Sequence, residues 1–403
     1  MSAPLTGFEQ HGRWTTLAEE TALLTQIAAE TDAVLTEAGR TVEDRPIHRL
    51  DIGTGTNAIM FIGLQHASEA AGRESVLKVV RDLAYSDDPD TADYLAAHRV
   101  VIVPNVNADV VFWGRENRNG VNLNRDWLQL TQPETRAAHQ VIRDVSPQVI
   151  MDLHESGMNH EDWVGRPTIA PAAHPDIATL GESLHDAAVS GVVAGGYTGG
   201  RYPDPSTLSV LGMAAGGLHT VGLLAEPLMK DWSAPNRPNL PIARRVTISD
   251  LAVRAVLDWH EVNATALAAA QATSMHYAMT TTDPVEVWSS GGAKTTADIS
   301  GYRLHEPLPQ YLVDAHGIVV DGDFVPVNQS ARLAVTVLCD PESADRVVTA
   351  ERVARRHPLP KGDWADTYAV LGRKRHKILS AWTVQNGRKV PIRLPQHYPP
   401  LTD

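Results

Sequence analysis

The residues with the clearest chemical potential are a histidine and a glutamate three positions apart, His66 and Glu69. Such a pair can offer one imidazole nitrogen and one carboxylate oxygen to the same metal ion. Of the 17 histidines, only His48 and His66 have an acidic residue three positions later, and His48 precedes a predicted turn. The pair alone is equally compatible with a surface or capping contact. Its position relative to the predicted strands is therefore needed to choose between these interpretations and a metal site.

Polar side chains follow four predicted strands at the point where each strand ends. The strands and the residues behind them are 58–64 with His66, 100–103 with Asn105 and Asn107, 149–153 with His154, and 220–224 with Glu226. Apolar strands separated by helical stretches predict an α/β fold with a mixed, mostly parallel sheet flanked by helices. Ligands bind at the carboxyl edge of such sheets, so we expect these side chains to share one site.

A polar loop at 115–127 supplies three guanidinium groups, from Arg115, Arg118 and Arg125. The planar fork of arginine binds both oxygens of a carboxylate, so this loop is a candidate anion-binding segment. The alternative is an exposed loop whose charges are simply solvated.

Five short motifs occur in a fixed order: QHASE at 65–69, VPNVNAD at 103–109, GVNLNR at 120–125, MDLH at 151–154 and LLAE at 223–226. Together they resemble the zinc carboxypeptidases of the carboxypeptidase A type, over roughly residues 45–230. The resemblance implies that His66, Glu69 and His154 bind Zn²⁺ and leave one position open for water. It implies that Glu226 is the general base.

The resemblance also assigns substrate-binding roles. Arg115 matches the arginine that polarises the scissile carbonyl, and Asn124 with Arg125 matches the pair that binds the substrate's terminal carboxylate. That pair would make the enzyme an exopeptidase. Tyr202 is the nearest match to the family's mobile tyrosine, with Tyr197 as the other candidate.

The chain departs from the family pattern at several positions. Ser68 stands where arginine is frequent, and Asn122 stands where aspartate is usual. The stretch 205–219 is more similar to the branch that includes succinylglutamate desuccinylases. Asp204 is either part of a side-chain pocket or, more simply, a turn residue between two prolines.

The predicted function is a zinc-dependent hydrolase that releases a C-terminal amino acid from a peptide by attack of metal-activated water. The first alternative is a zinc amidohydrolase or desuccinylase that acts on N-acyl amino acids. Others are a phage-borne or cell-wall-directed peptide hydrolase with a docking C-terminal domain, and a binding module without activity. In each enzymatic hypothesis the substrate carries a free carboxylate.

Helical patterns flank the predicted strands. Thr16 and Glu19 form a capping-box pattern, and apolar residues from Leu17 to Leu35 predict one helix that ends near Gly39. A second capping-box pattern at 131–134 predicts another helix start. A long helix is expected over about 241–272.

The character of the chain changes near residue 280. We predict a catalytic domain at 1–275 and a smaller β-rich C-terminal domain at 280–403. Residues 351–403 contain eleven Lys or Arg against four Asp or Glu, in a chain of net charge −13. This basic segment is either a solvated or packed tail or a docking surface for an acidic protein partner.

Composition narrows the function classes further. A net charge of −13 argues against non-specific binding to nucleic acid. With one cysteine, Cys339, the chain cannot form an internal disulfide. No signal-peptide pattern and no apolar run of about 18 residues is found, so we expect a cytoplasmic protein without a membrane span, or one released by lysis.

Overall fold

The computed structural model describes residues 3–110, 114–127, 130, 132–157, 160–168, 173–202 and 211–280, and the backbone of strands between 287 and 392. The helices are α1 Gly7–His11, α2 Leu17–Glu30, α3 Ala71–Ala84, α4 Pro89–Ala97, α5 Pro133–Val145, α6 Pro175–Ala194, α7 Leu211–Gly217 and α8 Ile242–Thr280. The strands that precede α8 are β1 Val34–Arg40, β2 Pro46–Ile52, β3 Asn57–Gly63, β4 His98–Val103, β5 Val149–Leu153, β6 Trp163–Pro167, β7 Gly199–Arg201 and β8 Val221–Pro227.

These eight strands form one sheet in the order β1-β2-β4-β3-β5-β8-β6-β7. The central neighbours β4, β3, β5 and β8 are parallel, as are β6 and β7. The pairs β1–β2, β2–β4 and β6–β8 are antiparallel. The prediction of a mixed, mostly parallel sheet flanked by helices is confirmed.

Helices cover both faces of the sheet, which explains why its central strands are continuous apolar runs. Phe61 and Met151 pack in one core, together with side chains of α3, α6 and α8. Met60 and Ile150 pack in a second core with α5 and α7. The alternation follows from strand geometry, because neighbouring side chains point to opposite faces.

The prediction of one helix from residue 17 to Gly39 is wrong in its second half. Helix α2 begins after the predicted Thr16 capping box but ends at Glu30. Val34 and Leu35 belong to β1, which pairs antiparallel with β2. The helical spacing of the apolar residues in α2 extends to Val34 and Leu35 by chance. Their pairing with β2 makes them part of a strand instead.

The capping box predicted at 131–134 is also wrong, although a helix does begin there. Gln132 is the N-cap of α5, and its side chain makes no capping hydrogen bond. Glu134 instead accepts hydrogen bonds from the Asn117 side chain and from the backbone N–H of Val42. The long helix predicted over 241–272 is confirmed as α8.

The C-terminal part contains short strands in antiparallel pairs, in agreement with the predicted β-rich character. They are β9 Val287–Trp288, β10 Lys294–Thr295, β11 Gly301–Leu304, β12 Val327–Asn328, β13 Leu333–Leu338, β14 Val347–Arg352, β15 Tyr368–Leu371, β16 Lys374–Gln385 and β17 Arg388–Ile392. The predicted strand at 318–320 and Cys339 lie outside the described residues. The domain boundary and the docking role stay predictions. None of the described helices combines the length and hydrophobicity that a membrane span requires.

Candidate metal centre

The carboxyl ends of three adjacent parallel strands carry the predicted metal and base residues. His66 follows β3, His154 follows β5 directly, and Glu226 is the penultimate residue of β8. Because β3, β5 and β8 are neighbours in this order, the three side chains reach the same edge of the sheet.

A tight turn after β3 brings Glu69 back towards His66. The backbone leaves the strand through Leu64, whose φ of 53° lies in the left-handed region that side chains other than glycine rarely adopt. The N–H of Glu69 then donates to the carbonyl of His66 over 3.1 Å. This local strain lies beside the candidate site, where such conformations concentrate.

His66, Glu69 and His154 form a compact group of metal-ligating atoms. His66 Nδ1 and His154 Nδ1 lie 3.0 and 2.8 Å from Glu69 Oε2 and 3.1 Å from each other. Tetrahedral zinc with bonds of about 2.0–2.2 Å places its ligand atoms roughly 3.3–3.6 Å apart, a few tenths of an ångström more than these separations. The donor set and its spacing fit a zinc ion, and no other such group occurs in the described part of the chain.

The electrostatics of the group favour a positive charge between the three side chains. Burial raises the pKa of Glu69, but His66 and His154 outweigh it and hold that pKa well below its usual range. Burial lowers the pKa of His154, but Asp152 and Glu69 outweigh it and raise it to about 10. A cation that replaces the proton meets the same attraction.

Each histidine is supported by a polar residue behind it. His66 Nε2 lies 2.9 Å from Asn122 Oδ1, and His154 Nε2 lies 3.0 Å from Asp152 Oδ1. Asp152 was not among the site residues predicted from the sequence. A signal was available, because a carboxylate inside an apolar strand has to find a partner when it is buried.

Glu226 lies close to the metal-ligating group and is mostly shielded from water. Burial raises the pKa of Glu226 to about 7, and the negative charge of Glu69 acts in the same direction. His154, a hydrogen bond from Ser156 and the charge of Arg115 act in the opposite direction. A carboxylate with a pKa near neutrality can both accept and return a proton at physiological pH.

Arg115, predicted to be catalytic, and Arg125, predicted to bind substrate, are both exposed, whereas Asn124 is buried. Arg115 is close enough to Glu226 to lower its pKa, and Arg125 Nη1 donates to the carbonyl of Asn124 over 2.6 Å. Asn124 is 3% exposed, and its Nδ2 donates to Asp152. Its Oδ1 accepts from the N–H of Leu211. The substrate-binding role of Asn124 stays a prediction, since its described contacts are with residues of the metal centre.

The structure places Tyr202 directly behind β7, near the edge of the sheet. Its N–H donates to the carbonyl of Gly165, and its own carbonyl accepts from Arg166. Tyr197 lies before β7, with the guanidinium of Arg244 5.0 Å from its ring. The mobile-tyrosine role of Tyr202 or Tyr197 stays a prediction. Asp204 lies outside the described residues.

A buried ion pair supports the turn that follows His154. Both oxygens of Glu155 accept hydrogen bonds from Arg245, over 2.5 and 2.7 Å. One of them also accepts from the N–H of Ala71, the first residue of α3. This pair joins α8, α3 and the end of β5 beside a predicted ligand.

Comparison with known proteins agrees with this geometry. Residues 21–158 match the model of the peptidase M14 family, described as zinc carboxypeptidase. The matched range contains the three candidate ligands together with Arg115, Asn124 and Arg125, whereas Glu226 lies beyond it.

Curated relatives match over a short part of their length. Carboxypeptidase D of Anas platyrhynchos is 27% identical, over 30% of this chain and 10% of the relative. Carboxypeptidase 2 of Trichophyton rubrum is 32% identical, over 22% of this chain and 17% of the relative. The matched region thus spans less than a fifth of either relative.

A solved structure shows the same fold. The metallo-carboxypeptidase from Burkholderia cenocepacia superposes with a TM-score of 0.52, over 60% of this chain and 68% of that one. The two sequences are 23% identical in the superposed part.

Proposed function

We propose that this chain is a zinc-dependent metallocarboxypeptidase that releases a C-terminal amino acid from a peptide, a proposal supported by the match of residues 21–158 to the zinc carboxypeptidase model. The observation that carries the proposal is the meeting of His66, Glu69 and His154 within hydrogen-bond distance of one another, beside Glu226. The donor set leaves room for a water molecule, as hydrolytic zinc sites require.

His66, Glu69 and His154 would hold the metal. A zinc ion supplies Lewis acidity, which polarises a carbonyl group and makes water ionise near neutral pH. The ligands contribute by being fixed in advance. They are 2%, 5% and 2% exposed and follow strands of the central sheet, so little rearrangement is needed to bind the ion.

Glu226 serves as the general base. Its carboxylate takes a proton from the attacking water and passes it to the nitrogen of the leaving amino acid. A pKa of about 7 suits both steps, because the group gives up the proton nearly as readily as it accepts it.

Arg115 and Arg125 serve the substrate. The guanidinium of Arg115, near Glu226, donates hydrogen bonds to the oxygen that becomes negative as the carbonyl is attacked. Arg125 binds the terminal carboxylate of the peptide, and its exposure leaves it accessible to that substrate. A free carboxylate is then required, and cleavage is restricted to the last peptide bond.

The experiment that tests this function is product analysis of the full chain with a mixed library. The library contains peptides with free C-termini, the same peptides with C-terminal amides, and N-acyl amino acids. Mass spectrometry is expected to show loss of single C-terminal residues from the free peptides only. A chelator should abolish the reaction, and added Zn²⁺ should restore it.

Two outcomes would contradict the proposal. Cleavage of N-acyl amino acids without cleavage of peptides would favour the amidohydrolase alternative, which the match to the zinc carboxypeptidase family does not favour. Turnover that survives complete removal of the metal would exclude a zinc-dependent mechanism.

A further inference from the structure

The nitrogen of His154 that faces away from the other two ligands is paired with a carboxylate. His154 Nε2 lies 3.0 Å from Asp152 Oδ1 and 2.8 Å from Asn124 Nδ2, and the Asp152 side chain is 0% exposed. Asn124 Nδ2 is an amide nitrogen, so Asp152 is the acceptor for a proton on Nε2. An imidazole that donates from Nε2 keeps its lone pair on Nδ1. Nδ1 is the atom that faces Glu69 and His66, so a proton on Nε2 that Asp152 accepts leaves Nδ1 available to a metal.

Asp152 is itself held in place on two sides. Gln65 Nε2 donates to Asp152 Oδ1 over 2.5 Å, and Asn124 Nδ2 donates to Asp152 Oδ2 over 3.2 Å. The other end of the Gln65 amide accepts from Trp127 Nε1 over 2.7 Å. All of these side chains are buried, so the carboxylate cannot turn away from His154 without leaving donors unsatisfied.

The second histidine has a weaker support. His66 Nε2 faces Asn122 Oδ1 at 2.9 Å, in a contact that is only partly buried. A neutral amide oxygen can fix the tautomer of His66, but it brings no charge. The two ligands therefore differ in what lies behind them, with a buried carboxylate for His154 and a neutral amide for His66.

We propose that Asp152, held by Gln65 and Asn124, is a positioning residue for His154. The metal affinity of the site depends more on Asp152 than on Asn122, which has the corresponding place behind His66. A carboxylate behind an imidazole orients the ring and makes the opposite nitrogen a better electron donor. The inference rests on the proposed function only in that the site binds a divalent cation. It assigns Asp152 no contact with substrate.

The first test is the zinc affinity of Asp152→Asn, measured in the full chain by competition with a chromophoric chelator. The affinity is expected to fall about 10–100-fold. The negative charge is lost, and the new amide N–H faces the N–H of Asn124. The matched control is Asn122→Ala, which removes the neutral support of His66 and is expected to cost less. The visible spectrum of the Co²⁺-loaded proteins should change more for Asp152→Asn than for the control.

A double variant separates charge from packing. In D152N/N124D the carboxylate moves to position 124, where one oxygen accepts from the N–H of Leu211 and the other from the new amide. All the hydrogen bonds described above are then restored, and the negative charge stays beside His154. Recovery of most of the zinc affinity lost in D152N is expected.

The outcomes are distinct. Unchanged zinc affinity in D152N, or an equal loss in D152N and N122A, would overturn the proposal. A wild-type protein that binds no zinc would instead overturn the proposed function. If thermal unfolding shows that D152N does not fold, Trp127→Phe becomes the test. It replaces the indole by a smaller ring and so removes the N–H that anchors Gln65, while the Asp152 carboxylate stays in place. A smaller loss of affinity is expected, and no loss would overturn the proposal.

Discussion

The buried metal centre and the exposed arginine loop at 114–125 are built in different ways. His66, Glu69 and His154 follow strands of the central sheet, and all three side chains are buried. Arg115 and Arg125 are exposed, although the backbone of their loop is well anchored.

The anchor of the loop is Asn117. Its N–H donates to the carbonyl of Val121, and its own carbonyl accepts from the N–H of Gly120. Gly120 has a φ of 71°, which glycine adopts without strain. The side chain of Asn117 donates to Gln132 and Glu134. These contacts hold the backbone of the loop, whereas the side chains of Arg115 and Arg125 extend to the surface.

The two halves of the site therefore differ in how their functional atoms are held. The three candidate ligands contact one another inside the folded protein. The guanidinium groups of Arg115 and Arg125 are exposed, so a negatively charged substrate has to displace water from them and, at Arg125, replace the contact with the Asn124 carbonyl, and that cost is part of binding. Substitutions in the buried half should therefore act on turnover, and those in the exposed half partly on substrate affinity.

The largest effect is expected for Glu226→Gln. The amide has the same shape but cannot accept a proton, so kcat should fall by about 10²–10⁴-fold. Zinc content, measured by mass spectrometry of the metal, should stay at the wild-type level. Activity close to wild type would show that another group is the base.

A smaller loss is expected for Arg115→Gln. It removes a charged donor from the oxygen that becomes negative, which typically costs about 10²–10³-fold in kcat. Steady-state kinetics on a peptide with a free C-terminus should show this loss with little change in KM. A change confined to KM would place Arg115 among the residues that bind the ground state only.

Arg125→Gln should act mainly on KM. Hydrogen bonds to charged groups contribute about 1.5–3 kcal/mol, so KM should rise about 10–100-fold. The matched control is Arg118→Gln, because Arg118 is an exposed arginine of the same loop that pairs with Glu43. Equal effects of the two substitutions would argue against a specific carboxylate contact at Arg125.

The smallest effect is expected on the pH dependence of folding stability, through a buried histidine that packs beside strand β5. His260 lies on α8 and contacts Gln148, which precedes β5, over 3.0 Å. Burial, aided by His98, lowers the pKa of His260 to about 3, from 6.5. The unfolded chain therefore binds a proton that the folded chain does not, and stability should fall as the pH decreases from about 6.5 towards 3.

Urea unfolding at pH 7, 6 and 5 measures this effect. A single group contributes at most about 1.4 kcal/mol per pH unit to the free energy of unfolding. His260→Gln is expected to reduce the slope in this range. The same slope in both proteins would mean that His260 does not cause it.

The meeting of His66 and His154 at one edge of the sheet could be predicted from the sequence, because the signals for it are local. His66 and His154 each follow an apolar run, and parallel strands deliver their ends to one edge. The helix–strand boundary after Glu30 could not be found in this way, because Val34 and Leu35 fit both periodicities and only pairing with β2 decides between them.

The second layer of the site could not be predicted for a different reason. Asp152 and Gln65 are 87 positions apart, and no local sequence pattern around either residue predicts the hydrogen bond between them. The contacts of Asn124 are also tertiary contacts between residues that are distant in sequence. Its motif suggests a substrate residue, while the structure surrounds it with Asp152, His154 and the backbone of Leu211.

The parallel pairing of β3 with β5 also has a consequence for how the chain acquires its metal. His66 and Glu69 are close in sequence, but His154 is 88 positions from His66 and reaches it only after β5 has joined β3. Before the sheet has formed, His66 and Glu69 alone would bind an ion weakly. Bringing His154 to the same ion would require closing a loop of 88 positions, which costs entropy. If the three residues bind zinc as proposed, tight binding is expected only late in folding, and the rate at which a refolding chain binds zinc would report on assembly of the sheet.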